Sequence, residues 1–451
     1  MSDEVMFGSA DADVVDAYAY VLGRFLVIRQ EHLDLSEAGV TYNVLKHSPP
    51  VLGGTGASLA PTFVNPNLDV VYSEAWVAVD EHTPALLTVP EIDGRYYTVQ
   101  IVDEWAEIVH NVNDRNFPEQ PHGRFAICLA GSSPSIPDDC VRIDVPTRKA
   151  KLLARVQIGE DVDEAVRLQH RFSIASLGTP RIEPPVAIEP FTNRDLPGAW
   201  VFERARLEAA LAAPDPARGV EGVRASVERV AAAVERGGDV RAAIEEAIRR
   251  VAIPSFGLSL GAFSESVNGW GSPGSRAKFG DDWNFRTIAN FGGIWWNSAL
   301  EVIYYLLTPD DSGHWPASDG SYALRFAGDD LPERHANAFW SLTLYSYPDM
   351  LLAPNAIGRY SFGPAADLAT DHDGGFTINV APAAPAGTPP SNWLPTPADG
   401  EFSLVLRLYL PTDDVRAGTW HPPALERISG SPPLDRSLAA RNDLVPQTLD
   451  P

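Results

Sequence analysis

The sequence predicts a mainly β protein with some α structure, in which two strand-rich halves flank a helical region. Short β-branched and aromatic runs recur about every ten residues between positions 64 and 157, and similar runs return after Tyr322. Such runs, separated by Pro, Gly, Asp and Asn turns, are typical of an antiparallel sandwich or barrel. Strands and helices do not alternate strictly, which argues against a doubly wound fold.

The first half begins with a helix and continues with strands. Apolar residues recur at intervals of three and four over residues 11–32, which predicts an amphipathic helix. The expected strands are residues 70–79, 85–89, 96–102, 125–128, 141–145 and 152–158. On the third of these, side-chain alternation places Tyr97 and Val99 on one face and Tyr96 and Gln100 on the other.

The middle of the chain changes character twice. Residues 173–198 are proline-rich and predict an irregular connector. Helices are then expected over 200–213, 218–236, 240–253 and from Asp281 or Asp282 to Leu307, and the last would align Arg286, Asn297 and Glu301 in one polar stripe. Strands return at 323–326, 338–345, 376–380 and 402–410. We therefore predict an N-terminal unit (1–172), a connector and helical region (173–310) and a C-terminal unit (311–451).

Composition excludes several classes of protein. The chain has 451 residues, 35 Lys and Arg against 60 Asp and Glu, and a formal net charge of −25, which disfavours binding to nucleic acid. Hydrophobic residues make up 45% of the chain, enough for packed cores and therefore unlike a disordered chain. No apolar run is long enough to span a membrane. Two cysteines and an acidic N-terminus without signal-peptide features lead us to expect a cytoplasmic protein.

Candidate site residues concentrate in two segments of the first half. Asn43 and His47 stand four apart, so a helix would place them on one face. In the next segment, Asn65 precedes a proline, while Asp69 and Tyr72 lie at the start of a predicted strand. An aspartate at that position either caps a turn or is held in a cleft, and both readings stay open.

A third polar segment runs from Arg95 through Asp103 to His110. If Asp69, Asp103, His47 and His110 converged, they could bind a divalent metal or perform general acid–base chemistry. The alternative is that they are turn caps and surface histidines. Their spacing carries no metal-ligand signature, and neither a phosphate loop nor an HExxH helix occurs in the chain. We therefore predict no cofactor and leave a divalent metal as an open alternative.

Several motifs resemble a known pair of domains. The run NPNLDVVYSEAWVAVDEHTPALLTVPEIDGRYYTVQIVDEW resembles the module called domain of unknown function 1254. AFWSLTLY, HDGGFTI, SNWLPTP, FSLVLRLYLP and GTWHPP resemble its usual companion, domain of unknown function 1214. The resemblance implies two antiparallel β-sandwich domains of jelly-roll character joined by a helical region, and it implies little about activity.

The function we expect is that of an enzyme acting on a largely apolar small molecule by hydrolysis, hydration or elimination. A mostly apolar pocket near the N-terminal sandwich with a few convergent polar groups would suit this chemistry. The predicted catalytic residues are Asp69, as general base or as the residue that orients His47, Tyr72, as acid or hydrogen-bond donor, and His47 itself. Asn65, Arg95, Asp103 and Asn43 are the predicted substrate-binding residues. The alternative is a non-catalytic, ligand-binding or self-assembling protein, and homo-oligomers are possible under either reading.

Overall fold

The computed structural model describes residues 4–50, 64–261, 266–272, 279–308, 318–355 and 357–429. Within them the predicted fold class, mainly β with some α structure, is confirmed, since the strands form four sheets in two groups. None of the helices in these ranges is both long and apolar enough to cross a membrane.

The first sandwich is built from two sheets. Its strands are β1 (Lys46–His47), β2 (Val70–Ala78), β3 (Ala85–Val89), β4 (Tyr97–Val102), β5 (Ile108–Val112), β6 (Gly123–Leu129), β7 (Cys140–Val145), β8 (Lys149–Gln157) and β9 (Ser173–Ser176). One sheet has the order β1-β2-β8-β4-β5, and the other has the order β7-β6-β3-β9. Val71, Leu87, Val99 and Phe125 belong to the apolar core between them. All six strands predicted for this half are present, whereas β1, β5 and β9 were not predicted.

Helices surround and connect the two sandwiches. They are α1 (Glu4–Leu35), α2 (Val162–Gln169), α3 (Arg204–Ala210), α4 (Glu221–Glu235), α5 (Gly238–Ala247), α6 (Ile253–Gly261), α7 (Trp283–Gly292) and α8 (Asp413–Arg416). A π-helical segment, Ile248–Ala252, joins α5 to α6. Helix α1 packs against α4 and α7, so the N-terminal helix is part of the helical layer. The predicted helix over 200–213 is instead a 3₁₀ turn, Ala199–Phe202, followed by α3.

The second sandwich repeats this arrangement. Its strands are β10 (Ser266–Val267), β11 (Trp270–Gly271), β12 (Val302–Leu307), β13 (Ser321–Phe326), β14 (Ala336–Tyr347), β15 (Ser361–Phe362), β16 (Phe376–Ala381), β17 (Trp393–Pro395), β18 (Glu401–Pro411) and β19 (Leu425–Ser429). The sheet orders are β10-β11-β12-β18-β14-β15 and β17-β16-β13-β19. Leu324, Leu342, Ile378 and Leu406 are among the residues of its buried core.

The predicted helix from Asp281 or Asp282 to Leu307 is wrong in its second half. Asp282 caps α7 as expected by accepting a hydrogen bond from the Phe285 amide, at 2.9 Å. The helix stops at Gly292 and Gly293, and the β-branched run after Glu301 forms β12. Pairing of β12 with β18 satisfies its backbone, which outweighs the helical spacing of its apolar residues. The predicted polar stripe of Arg286, Asn297 and Glu301 therefore does not exist.

The sheet β1-β2-β8-β4-β5 and the sheet β10-β11-β12-β18-β14-β15 each pack one face on the core of their own sandwich. Their other faces pack on the helices and on each other. Tyr96 from the first half and Tyr304, Phe339, Tyr345 and Tyr409 from the second belong to one core with the helices. Rings of the two halves touch there, since Tyr96 packs edge-on against Tyr409 with ring centres 5.2 Å apart. This shared core positions the candidate site.

Candidate functional site

A small cavity lies between the two facing sheets, next to the end of α7. Its volume is about 30 Å³, room for about two water molecules. We call it the inner cavity, and its wall is formed by Tyr72 and Arg155 from the first sheet, Tyr304, Leu306, Val405, Arg407 and Tyr409 from the second, and Asn65, Gly293, Trp295 and Trp296 from loops. The wall is rich in aromatic rings and carries two guanidinium groups.

Arg155 lies on β8, in the middle of the first sheet. Its neighbours across the sheet are Tyr72 on β2 and Thr98 on β4. The side chain is only 6% exposed and donates hydrogen bonds to Gln100 Oε1, at 2.6 Å, and to the Trp295 carbonyl, at 3.0 Å. Both acceptors are neutral, so the charge of Arg155 is balanced by dipoles alone.

Arg407 occupies the matching position on β18, in the middle of the second sheet. Its neighbours across the sheet are Tyr304 on β12 and Ser341 on β14. It is 2% exposed, and it donates to the Asn65 carbonyl at 2.7 Å and to Thr343 Oγ1 at 3.5 Å. Its partners are also neutral. Each sandwich therefore contributes one arginine with a tyrosine beside it.

The tyrosine hydroxyls of the inner cavity accept hydrogen bonds from the protein. Tyr304 Oη accepts from the Asn297 amide at 3.0 Å, and Tyr409 Oη accepts from Asn67 Nδ2 at 2.7 Å. Tyr72 Oη accepts from the Asn67 amide at 3.1 Å. Burial raises the pKa of Tyr304 and of Tyr409, so both phenols are neutral near pH 7 and keep a proton to donate.

Asn65 and Asn67 connect the first half to this wall. Asn65 has a φ of 51°, a left-handed conformation that asparagine tolerates better than most residues. Its Nδ2 donates to the Gly292 carbonyl at the end of α7, while its Oδ1 is buried without a hydrogen-bond partner. Asn67 binds both Tyr72 and Tyr409, so this short loop fixes two of the cavity hydroxyls.

Asp69 borders a different space. Its carboxylate is half-buried at the edge of an open groove of about 350 Å³, which we call the outer groove and which is lined by Asp69, Arg359, Ser361, Phe362, Gly363, Ala365, Ala366, Asp367 and Ser391. Burial raises the pKa of Asp69 to about 6, although the Ser341 hydrogen bond and the charge of Arg407 both lower it. Ser341 lies between Asp69 and Arg407, so Asp69 is one side chain removed from the inner cavity.

His47 lies elsewhere, with partners of its own. It is on β1, not on a helix, so the predicted shared helical face with Asn43 is wrong. Its Nδ1 lies 2.8 Å from Ser73 Oγ, and its ring centre is 4.5 Å from that of His170. Burial and the neighbouring His170 lower the pKa of His47. Asp69 thus orients Ser341 in this structure, while His47 is oriented by Ser73.

The other three predicted binding residues hold backbone in place. Asn43 exchanges hydrogen bonds with the Ala78 backbone and also donates to Ser176. Arg95 donates to the Gln157 and Ile158 carbonyls at the end of β8. Asp103 accepts from the Trp105 and Glu107 amides, and burial raises its pKa to about 7. Of the predicted site residues, the inner cavity brings together only Asn65 and Tyr72.

The two arginines were missed in the sequence, although a signal for them exists. Arg407 stands alone in the apolar run SLVLRLYLP, and Arg155 stands in LLARVQI. A single charge within a strand that is otherwise apolar on both faces must be buried, and a buried charge requires a compensating partner. Among the residues that the structure describes, no group of three or more His, Cys, Asp and Glu could hold a metal ion.

Two family models match the chain. Protein of unknown function (DUF1254) covers residues 42–176, and Protein of unknown function (DUF1214) covers residues 301–413. The chain contains both domains. Their order confirms the resemblance seen in the sequence motifs. The DUF1254 domain includes Tyr72 and Arg155, whereas the DUF1214 domain includes Tyr304, Arg407 and Tyr409, so the inner cavity lies where the two domains meet.

A similar solved structure supports the fold of the whole DUF1254–DUF1214 chain. A Vibrio parahaemolyticus protein has 17% identity and a TM-score of 0.60, over 93% of this chain and 100% of its own. An uncharacterised Burkholderia cenocepacia protein has 12% identity and a TM-score of 0.41, over 94% of this chain and 97% of its own. The first likeness shows a shared fold only. The comparison with curated proteins gave no match.

Proposed function

We propose that this protein is an enzyme for a small metabolite and that the inner cavity is its active site. The expected reaction class is hydrolysis, hydration or elimination by general acid–base chemistry. The observation that carries the proposal is that Tyr72 and Asn65 border one small cavity together with two buried arginines. Buried polar groups of this kind act strongly on a ligand because little water screens them.

Tyr72 is the proposed proton donor. Its Oη accepts a hydrogen bond from the Asn67 amide, and the guanidinium of Arg155 lies over its ring, 5.5 Å from the ring centre. These contacts hold Tyr72 in place beside the cavity, where it would donate a proton as the general acid. Asn65, which also borders the cavity, is the proposed substrate-orienting amide.

Asp69 is the proposed base at the outer end of the site. Its carboxylate accepts a hydrogen bond from Ser341 Oγ, and Ser341 Oγ in turn lies 3.5 Å from Asn67 Oδ1 and from Thr343 Oγ1. A carboxyl with a pKa of about 6 can exchange protons near neutral pH. Asp69 borders the outer groove, and neither it nor Ser341 lines the inner cavity, so this base would act on a substrate group that reaches the groove.

The proposed cellular compartment and partners follow from the cysteines and the net charge of the chain. Cys128 and Cys140 are both free, which suits a reducing, cytoplasmic compartment. The partner is a small molecule, and neither nucleic acid nor a membrane is expected for a chain of this charge. Homo-oligomers remain part of the proposal, and native mass measurement would test them.

The test compares metabolites before and after incubation with the purified full-length protein. A cell extract is treated with the wild type, with Tyr72→Phe, with Asp69→Asn and with Tyr97→Phe as a matched control. Tyr97 is also a buried tyrosine on the first sheet, but it faces the sandwich core and donates to the Pro121 carbonyl at 2.9 Å. We expect one metabolite to be consumed by the wild type and by Tyr97→Phe and not by Tyr72→Phe.

Two results would count against the proposal. Equal consumption by the wild type and Tyr72→Phe would remove Tyr72 from the chemistry. A metabolite that is retained by the protein and never converted would replace the enzyme with a non-catalytic ligand-binding protein, the alternative considered from the sequence.

A further inference from the structure

We propose that the inner cavity binds the carboxylate of a small organic acid, held between Arg155 and Arg407. This acid would be the substrate class of the proposed active site, so the inference rests on the proposed function.

The two arginines carry charge that no hydrogen-bonded acid balances. Arg155 and Arg407 are 6% and 2% exposed, and all their hydrogen-bond acceptors in the described residues are neutral. Two buried cations without a hydrogen-bonded anion are unfavourable, because the protein interior screens and solvates them poorly. Other buried arginines of this chain do have carboxylate partners, as Arg286 has Asp215 at 2.7 Å. An anion bound between the two guanidinium groups would supply the missing charge.

The nearest acids do not fill this role. Glu301 accepts from Arg115 at 2.8 Å and from Tyr96 at 2.9 Å, so its charge is already paired. Asp69 accepts from Ser341 Oγ at 2.5 Å, and no ion pair joins it to Arg407. Within the described part of the chain, the inner cavity is therefore a place of positive charge.

Two phenol groups of the cavity wall have protons to donate. Tyr304 Oη and Tyr409 Oη each accept a hydrogen bond from an N–H group, so each can direct its own O–H toward a ligand. Guanidinium and phenol donors around one cavity suit the several lone pairs of a carboxylate.

The size of the cavity refines the class. Its volume of about 30 Å³ leaves room for only a few heavy atoms. The cavity thus favours a short acid with a single carboxylate.

The experiment titrates the full-length protein with acetate and acetamide. Acetamide has nearly the shape of acetate without its charge. Ionic strength is held constant with a bulky sulfonate buffer, and binding is followed by tryptophan fluorescence, because Trp295 and Trp296 line the cavity, and by Tm. We expect saturable binding of acetate and none of acetamide.

Variants assign the binding to the two arginines. Arg155→Met and Arg407→Met should each weaken acetate binding about 10- to 100-fold, the usual effect of losing a charged hydrogen-bond donor. Tyr409→Phe, which keeps both charges, provides a milder change if a methionine variant does not fold, and it should weaken binding about 3- to 10-fold. Arg218→Met is the control, because Arg218 is an exposed arginine paired with Asp281.

The inference is overturned if acetamide binds as well as acetate, if Arg407→Met or Tyr409→Phe binds acetate like the wild type, or if the wild type shows no saturable response. The experiments distinguish the carboxylate site from the proposed reaction. If acetate does not bind while turnover still depends on Tyr72, only the carboxylate site is overturned. If acetate binds while Tyr72→Phe is fully active, only the acid role of Tyr72 is overturned.

Discussion

Ser341 Oγ donates a 2.5 Å hydrogen bond to Asp69 Oδ2, although the two residues are 272 positions apart in the chain. Asp69 precedes the first long strand of the DUF1254 domain, and Ser341 lies on β14 of the DUF1214 domain, directly across from Arg407. The bond therefore ties the two sandwiches together beside the inner cavity. Its strength must depend on whether Asp69 is ionised.

Asp69 should make stability depend on pH. Its folded pKa of about 6 lies above the ordinary value of 3.8, so the folded protein binds this proton more tightly than the unfolded chain does. The free energy of unfolding should therefore fall as pH rises from about 4 to about 7, by about 2 to 3 kcal/mol from this group. Asp69→Asn should remove that part of the slope, measured by urea unfolding at each pH.

Asp80→Asn is the matched control for this experiment. A hydrogen bond from the Arg181 amide, with others from His82 and Thr83, lowers the pKa of Asp80 to about 2. Asp80 is therefore ionised in both states above about pH 5 and contributes no slope between there and pH 7. A slope unchanged in Asp69→Asn would mean that Asp69 titrates in the folded protein as an ordinary carboxyl.

The Arg286–Asp215 ion pair should be important for stability. Both side chains are almost fully enclosed, at 2% and 0% exposure, and two bonds of 2.7 and 2.8 Å join them. Arg286→Met leaves a buried carboxylate without its partner and should lower the free energy of unfolding by about 3 to 5 kcal/mol. Arg218→Met, which breaks the exposed pair with Asp281, should cost less than about 1 kcal/mol. Similar losses in the two variants would contradict this account.

Gly293 should be sensitive to the smallest substitution. A Cβ at this position would overlap Nε1 of Trp296, and both residues border the inner cavity. Gly293→Ala should therefore lower stability by about 1 to 3 kcal/mol and displace the Trp296 ring, which a change in tryptophan fluorescence would report. Gly222→Ala is the control, because this exposed helical glycine has open space around it. That change should raise stability by about 0.5 to 1 kcal/mol.

Ten of the strands were predictable because their cause is local. Alternation over residues 96–102 placed Tyr97 and Tyr96 on opposite faces, and the two residues indeed belong to different cores. The helix predicted through Leu307 failed because its second half is decided by pairing with β18, which lies about a hundred residues further along the chain. Sequence spacing carries no information about such a partner.

The candidate site was predictable only in part, for a related reason. Asn65 and Tyr72 were found because polar residues cluster in their segment, whereas Arg155 and Arg407 stand singly in apolar strands. Arg95 and Asp103 looked like binding residues by type, yet each is occupied by nearby backbone. Residue type is visible in a sequence, but the partners that occupy a side chain depend on the fold.

Arg155 and Arg407 come from different domains, and this has a consequence for inheritance. A gene that encoded only the DUF1254 domain would carry three of the eleven wall residues, and a gene that encoded only the DUF1214 domain would carry five. A cavity of this composition can thus pass to a descendant only when both coding segments are transmitted together.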